Sequence, residues 1–188
     1  VPVLDVKRKN SHNIIGDRSF SENPEIVSAI GNICINLFKK NKIATVMKHI
    51  PGHGLSKKDS HKELPTIRVN KKELMNVDFK PFKKCSAFFA LTAHIIYSVY
   101  DPSYNATHSK IIIKKIIRKH IGFKGLLISD DISMKALKDG FINNAIKALN
   151  AGCNLVLHCN GNIKEMTALL KIIPNIDKFT QKKTSEFY

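Results

Sequence analysis

Tryptophan is absent and aromatic residues make up only 7% of the 188 positions, which removes the stacking platforms of RNA-recognition modules. Nowhere do eighteen apolar residues run together, so no transmembrane helix is expected. The opening VPVLDVKRKN lacks the charged-then-apolar order of a secretion signal, and it lacks an initiator methionine. The expectation is a chain that was processed or is part of something longer. The four cysteines, Cys34, Cys85, Cys153 and Cys159, form no Cys-x-x-Cys pair, and each is expected to be a buried thiol in an apolar setting. Cys153 and Cys159 flank one expected strand, too far apart to bridge. A reduced cytoplasmic compartment fits this usage. Neither a His-Glu-x-x-His helix nor a Gly-x-Ser-x-Gly elbow occurs, which removes the commonest signatures of zinc and serine hydrolysis.

Acidic charge is also scarce: 15 Asp and Glu face 31 Lys and Arg, a formal net charge of +16. Such an excess invites a nucleic-acid reading. The basic residues are almost all lysine and are spread over the whole length, so loose attraction to polyanions is expected and specific nucleic-acid binding is not. Abundant Lys, Ile and Asn fits the amino-acid bias of an AT-rich genome. An apolar fraction of 43% and this length suit one domain with a sizeable core.

What is present alternates between strand and helix patterns. Residues 1–6 form a short apolar run with Asp5 near its end. Asn23 followed by Pro24 suits a helix start, with Ile26, Ile30, Ile33 and Leu37 at helical spacing and Lys39 and Lys40 at its end. Further buried strands are expected over 43–49, 87–94, 125–131 and 154–159. Between them lie a broken helical pattern over 71–84 interrupted by Pro81, an irregular loop over 95–102, and a helix over 110–120 capped by Ser109. Helices are also expected over 143–150 and 161–173, and 178–188 reads as a polar tail. Five buried strands separated by helices imply parallel βαβ units, whose functional groups gather at the C-terminal ends of the strands. Those ends carry Asp5, Lys48, His49, His94, Asp130, Asp131 and Cys159.

The densest stretch is KHIPGHGLSKKDSH over 48–61. An apolar run that ends in Lys-His and then Pro-Gly-His-Gly is a buried strand breaking into a loop. Lys48 and His49 could simply end the strand, and Asp59 and His61 could be an ordinary turn pair. Together the latter have the elements of a catalytic dyad, a carboxylate fixing the tautomer of an imidazole that takes and gives protons near neutrality. Zinc is the rival use for His49, His53 and His61, which a loop could draw together.

The string KHIPGHG, then four residues, then DSHKELP resembles the bacterial β-N-acetylhexosaminidases of glycoside hydrolase family 3, with Ile50 where Phe is usual. The resemblance extends from residue 1 to about 159 with motifs in family order. It implies a partial (β/α)8 barrel, about the last five strands with their helices, as one catalytic domain over 1–188 that is incomplete on its N-terminal side. The front strands and an Asp-x-x-Gly-Gly-x-Val-x-Arg loop that also grips the sugar have no counterpart here. By resemblance, Asp130 in Ser-Asp-Asp-x-Ser-Met is the nucleophile and His61 the general acid/base oriented by Asp59. Arg18 in Gly-Asp-Arg-Ser-Phe, with Lys48 and His49, would hold the sugar, and His53 would support the turn. Asp131 would assist or cap, and no role follows for His94. The implied reaction is retaining release of terminal β-linked N-acetylglucosamine, on muropeptides of peptidoglycan recycling in a bacterial cytoplasm, with no metal or cofactor. The implied partners are such a saccharide and a missing N-terminal barrel segment, with no specific nucleic acid and no membrane. The alternative is a truncated relic without turnover that binds sugar or a partner.

Overall fold

A computed structural model describes residues 1–9, 13, 15–58 and 63–186. Asn23 starts the first helix, α1 (Pro24–Lys40), by accepting the Glu25 N–H on its side chain, with Pro24 in the first turn where no N–H is needed. Parallel strands β1 (Val46–Ile50), β3 (Phe89–Thr92), β5 (Leu126–Asp131) and β6 (Leu155–Leu157) lie side by side in that order, which is also chain order. Helices cross over between them. Sheet, crossovers and parallel pairing are the βαβ units that the alternating pattern predicts, and they suit the partial (β/α)8 barrel that the resemblance implies.

Residues 1–6 reach the β1 edge through one bridge, Val3 opposite Lys48, instead of a full strand. Lys48 N–H donates to the Pro2 carbonyl and Leu4 N–H to the Lys48 carbonyl. Pro2 has no N–H of its own to extend the ladder. A second small sheet pairs β2 (Thr66–Ile67) with β4 (Ile96–Tyr97), so the expected irregular loop over 95–102 begins with a strand. The broken helical pattern resolves into α2 (Lys71–Glu73), a wide turn (Leu74–Asp78) and α3 (Lys80–Lys84), in which Pro81 sits in the first turn and starts a helix. Ser109 Oγ accepts the Ile112 N–H at 3.0 Å and so caps the wide helix Ile112–His120, whose Ile112, Ile113, Ile116 and Ile117 are all buried.

Two further helices, α4 (Gly140–Ala151) and α5 (Ile163–Ile172), flank β6. The stretch expected to be a polar tail carries α6 (Lys178–Ser185), capped by Asp177. It is docked by tertiary contacts: buried Thr180 accepts from the Asn154 side chain, and Phe179 lies against the Arg118 guanidinium. The cysteines differ from expectation in part. Cys85 and Cys153 are buried, Cys34 is half-buried and Cys159 is exposed, and all four are free thiols.

The apolar stripe on α1 faces outward. Val27, Ser28, Gly31 and Ile35 are its buried residues, whereas Ile26, Ile33 and Leu37 are each about half exposed, at 47%, 58% and 56%. The reason is the close approach of Leu4: a Cβ at position 31 would lie 2.4 Å from Leu4 Cδ2. Gly31 therefore turns inward, between Val27 and Ile35 on the buried face.

Candidate active site

The strand ends meet at one cleft of about 380 Å³. Arg18, Lys48, His49, His53, Asp130 and Cys159 supply its polar lining, and Val1, Val46, Leu91 and Leu157 its apolar wall. Arg18 ends a single helical turn (Gly16–Arg18) that brings the loop after residues 1–6 to the rim. Lys48 and His49 stand in the C-terminal half of β1, and Asp130 is the next-to-last residue of β5. The structure thus brings Arg18, Lys48, His49 and Asp130 to one cleft. The dyad residues Asp59 and His61 lie outside the described residues. The ends of that loop are clasped by the Lys58 ammonium donating to Glu63 Oε2 at 2.6 Å.

Asp5 organises the β1 side from beneath. It is fully buried and accepts from His49 Nδ1 at 2.6 Å, from the His49 backbone N–H at 3.2 Å, and from the His53 N–H at 2.7 Å. Burial alone would raise the Asp5 carboxyl. The His49 and His53 groups around it outweigh that and hold it below the ordinary carboxylate range. With Nδ1–H committed to Asp5, Nε2 is the His49 atom left to meet a ligand. Sequence reading placed Asp5 at a strand end without seeing this role; an apolar strand ending in an acidic residue was its only trace.

His53 packs edge-on against His49, with ring centroids 5.4 Å apart, and burial lowers it to about 4. It is therefore neutral at physiological pH. The two glycines around it have steric reasons. Gly52 has φ of +143°, and a Cβ there would lie 2.7 Å from the Asp78 carbonyl; at Gly54 a Cβ would lie 2.0 Å from the Val6 carbonyl. The Pro-Gly-His-Gly turn is squeezed between two backbones, and no side chain fits at either glycine.

On the β5 side the two aspartates divide. The Asp131 carboxylate accepts from the Ser133 N–H and hydroxyl and from the Cys159 N–H, so it caps the turn beyond the strand. Among the described residues, the Asp130 carboxylate accepts from the Asp131 N–H alone, at 2.9 Å, and it borders the cleft. A carboxylate with an open oxygen, an imidazole fixed by a buried acid, and two cations in one cleft can hold a polyhydroxylated ligand and attack an electrophilic carbon. A wider cleft of about 900 Å³ lies at the opposite end, around Lys39, Lys42 and Lys124 before the strands begin. It has no comparable set of acid, base and nucleophile.

Comparison with known proteins agrees with this geometry. Residues 1–185 match the family model described as "Glycosyl hydrolase family 3 N terminal domain". A β-hexosaminidase of Haemophilus influenzae is 36% identical over 188 residues, covering 97% of this chain and 51% of the relative. One of Actinobacillus pleuropneumoniae is 38% identical over 167 residues, covering 85% and 47%. The crystal structure of NagZ from Neisseria gonorrhoeae in complex with N-trifluoroacetyl-D-glucosamine superposes with a TM-score of 0.86 at 31% identity. That match covers all of this chain and 54% of the other. The chain spans about half the length of the curated relatives it matches.

Proposed function

The chain belongs to glycosyl hydrolase family 3, and we propose that it carries the catalytic wall of a retaining β-N-acetylhexosaminidase. The observation that supports this reading best is the open Asp130 carboxylate at a strand end, sharing one cleft with Arg18, Lys48 and His49. Asp130 attacks the anomeric carbon of a terminal β-linked N-acetylglucosamine, and the glycosidic oxygen leaves with a proton from His61. A glycosyl–Asp130 ester results. His61 then takes a proton from water, which attacks the same carbon, and the sugar departs with its configuration retained. Asp59 orients His61. Arg18, Lys48 and His49 hold the ring hydroxyls so that the anomeric carbon meets Asp130. A histidine, imidazolium when it gives its proton and neutral when it takes one from water, also avoids a second negative charge beside the nucleophile.

The substrate on this reading is a muropeptide or related saccharide recycled from peptidoglycan in a bacterial cytoplasm, with no metal or cofactor required. A front barrel segment, supplied as a neighbouring stretch or a separate chain, completes the sugar grip. The second reading, a fragment that binds sugar or a partner without turnover, is favoured by two observations: among the described residues the β6 edge of the sheet pairs with no further strand, and the chain spans about half the length of its curated relatives. The deciding experiment measures release of a chromogenic aglycone from a β-N-acetylglucosaminide by this chain, alone and with a front segment added. Turnover that falls by about 1,000-fold or more in Asp130→Ala, and falls in His61→Ala, supports the glycosidase reading. A folded chain inactive both alone and with the front segment leaves the binding reading.

A further inference from the structure

Behind Asp130 lies a chain of polar groups that the proposed reaction does not use. Thr92, Thr107 and His94 are each fully buried, on the last residue of β3 and in the loops beyond it. The Asp130 N–H donates to Thr92 Oγ1 at 3.3 Å. Thr92 Oγ1 lies 2.8 Å from Thr107 Oγ1, and Thr107 Oγ1 lies 2.8 Å from His94 Nδ1. His94 Nε2 then lies 3.1 Å from the carbonyl of Asp131. The chain leaves the Asp130–Asp131 dipeptide at its first N–H and returns to it at its last C=O.

The direction of every bond in this ring follows from chemistry. A carbonyl can only accept, so His94 Nε2 carries the proton. Burial lowers His94 below the ordinary histidine value, against the pull of Asp130 and Asp131 and with the help of His49, so the ring is neutral and Nδ1 is an acceptor. Thr107 therefore donates to Nδ1 and must accept from Thr92. Thr92 donates its only hydroxyl proton to Thr107 and keeps a lone pair for the Asp130 N–H. No donor faces a donor and no acceptor faces an acceptor. One flip anywhere would leave a buried polar group unpaired, which makes the ring stiff.

We propose that Thr92, Thr107 and His94 are positioning residues that clamp both peptide groups of the Asp130–Asp131 dipeptide and so aim the Asp130 carboxylate into the cleft. They act through the backbone and touch no substrate. His94 is the terminus that sets the direction of the ring, which gives a role to a histidine whose place at a strand end is otherwise unexplained. This inference rests on the glycosidase reading only for its effect on turnover; the clamp itself is readable without it.

The test is accordingly in two parts on the full chain. First, ¹⁵N NMR of His94 reads the tautomer, with the protonated nitrogen expected at Nε2 at neutral pH. The Asp130 amide resonance is expected to shift in Thr92→Val and to return in Thr92→Ser, which restores the hydroxyl. An Nδ1–H tautomer, or an Asp130 amide indifferent to Thr92→Val, overturns the clamp whether or not the protein turns over sugar. Second, with the chromogenic glycoside, Thr92→Val and Thr107→Val are expected to lower kcat by about 10- to 100-fold with KM changed less than about twofold, and Thr92→Ser to recover most of it. A Thr92→Val chain with the amide shift and unchanged kcat overturns the positioning role. If wild type itself lacks turnover under all conditions, the glycosidase reading fails, and the amide and tautomer readouts still decide the clamp.

Discussion

Asp78 shows how burial and ion pairing compete at a single residue. Its carboxyl is almost fully buried, and the Arg8 guanidinium stands 3.9 Å from Oδ2. Arg8 is also bonded to Glu73, so its charge is shared, and burial wins: the Asp78 carboxyl is pushed up to about 7. A carboxyl with its folded value above its unfolded one keeps its proton longer in the folded chain. Its contribution is therefore fully present below about pH 4 and is lost as pH rises through 7. Asp78→Asn, which has no proton to lose, is expected to be more stable than wild type by about 4 kcal/mol at pH 8, with the gap closing toward about pH 4. Urea unfolding at the two pH values measures it, and a gap of equal size at both would show that the carboxyl carries no such penalty. His53 acts in the opposite sense. Lowered to about 4, it stays neutral when folded while the unfolded chain takes up protons below about 6.5, so acid removes stability there.

At the scale of elements, the Pro-Gly-His-Gly turn is the joint that locks β1 to the edge segment 1–6. Its glycine spacing was legible as a turn, and the apolar run before it as a strand. The reason for Gly54 was not legible, because the obstacle is the Val6 carbonyl nearly fifty residues away. Gly54→Ala drives a methyl into that backbone and is expected to destabilise by about 2–3 kcal/mol, read as a lowered urea midpoint with unchanged slope. A loss under about 0.5 kcal/mol would mean that the two segments do not meet so closely. Helix α1 teaches the same lesson from the other side. Its start was legible because Asn-Pro is a local signal, but its inward face was not. Ile26, Ile33 and Leu37 have the period of a core stripe, and the fold sets Gly31 inward because Leu4 needs the space. In α6 too few apolar residues mark a face, and Thr180 and Phe179 dock it by contacts with residues distant in sequence.

At the scale of the molecule, apolar surface gathers on the two flanks of the sheet. Ile26, Ile33 and Leu37 stand out on α1, and Ile163, Met166 and Leu170 on α5, the last of these 80% exposed. Exposed large apolar side chains on one helix face favour association. Ile33→Lys with Leu170→Lys is expected to reduce self-association of the chain, seen by light scattering at millimolar salt and at 0.5 M salt, while changing stability by less than about 1 kcal/mol. High salt matters to the test because a net charge of +16 keeps copies apart when unscreened. Unchanged scattering in the variant at both salts would mean that these faces do not associate.

The sequence by itself determined whatever depends on neighbours in the chain. The strand-helix alternation, the Asn-Pro and Ser109 caps, and the break at Pro-Gly-His-Gly all act within a few residues, where backbone geometry and hydrogen bonding are local. It also determined which side chains stand at strand ends, because in parallel units those ends share one rim, and Lys48, His49 and Asp130 meet there. Only the tertiary structure decided which groups hold them. Asp5 beneath His49, the Thr92–Thr107–His94 ring behind Asp130, and the outward stripe on α1 are contacts between segments far apart in the chain. Their partners are selected by packing and by the need to pair every buried polar group, and neither leaves a periodic mark in the sequence.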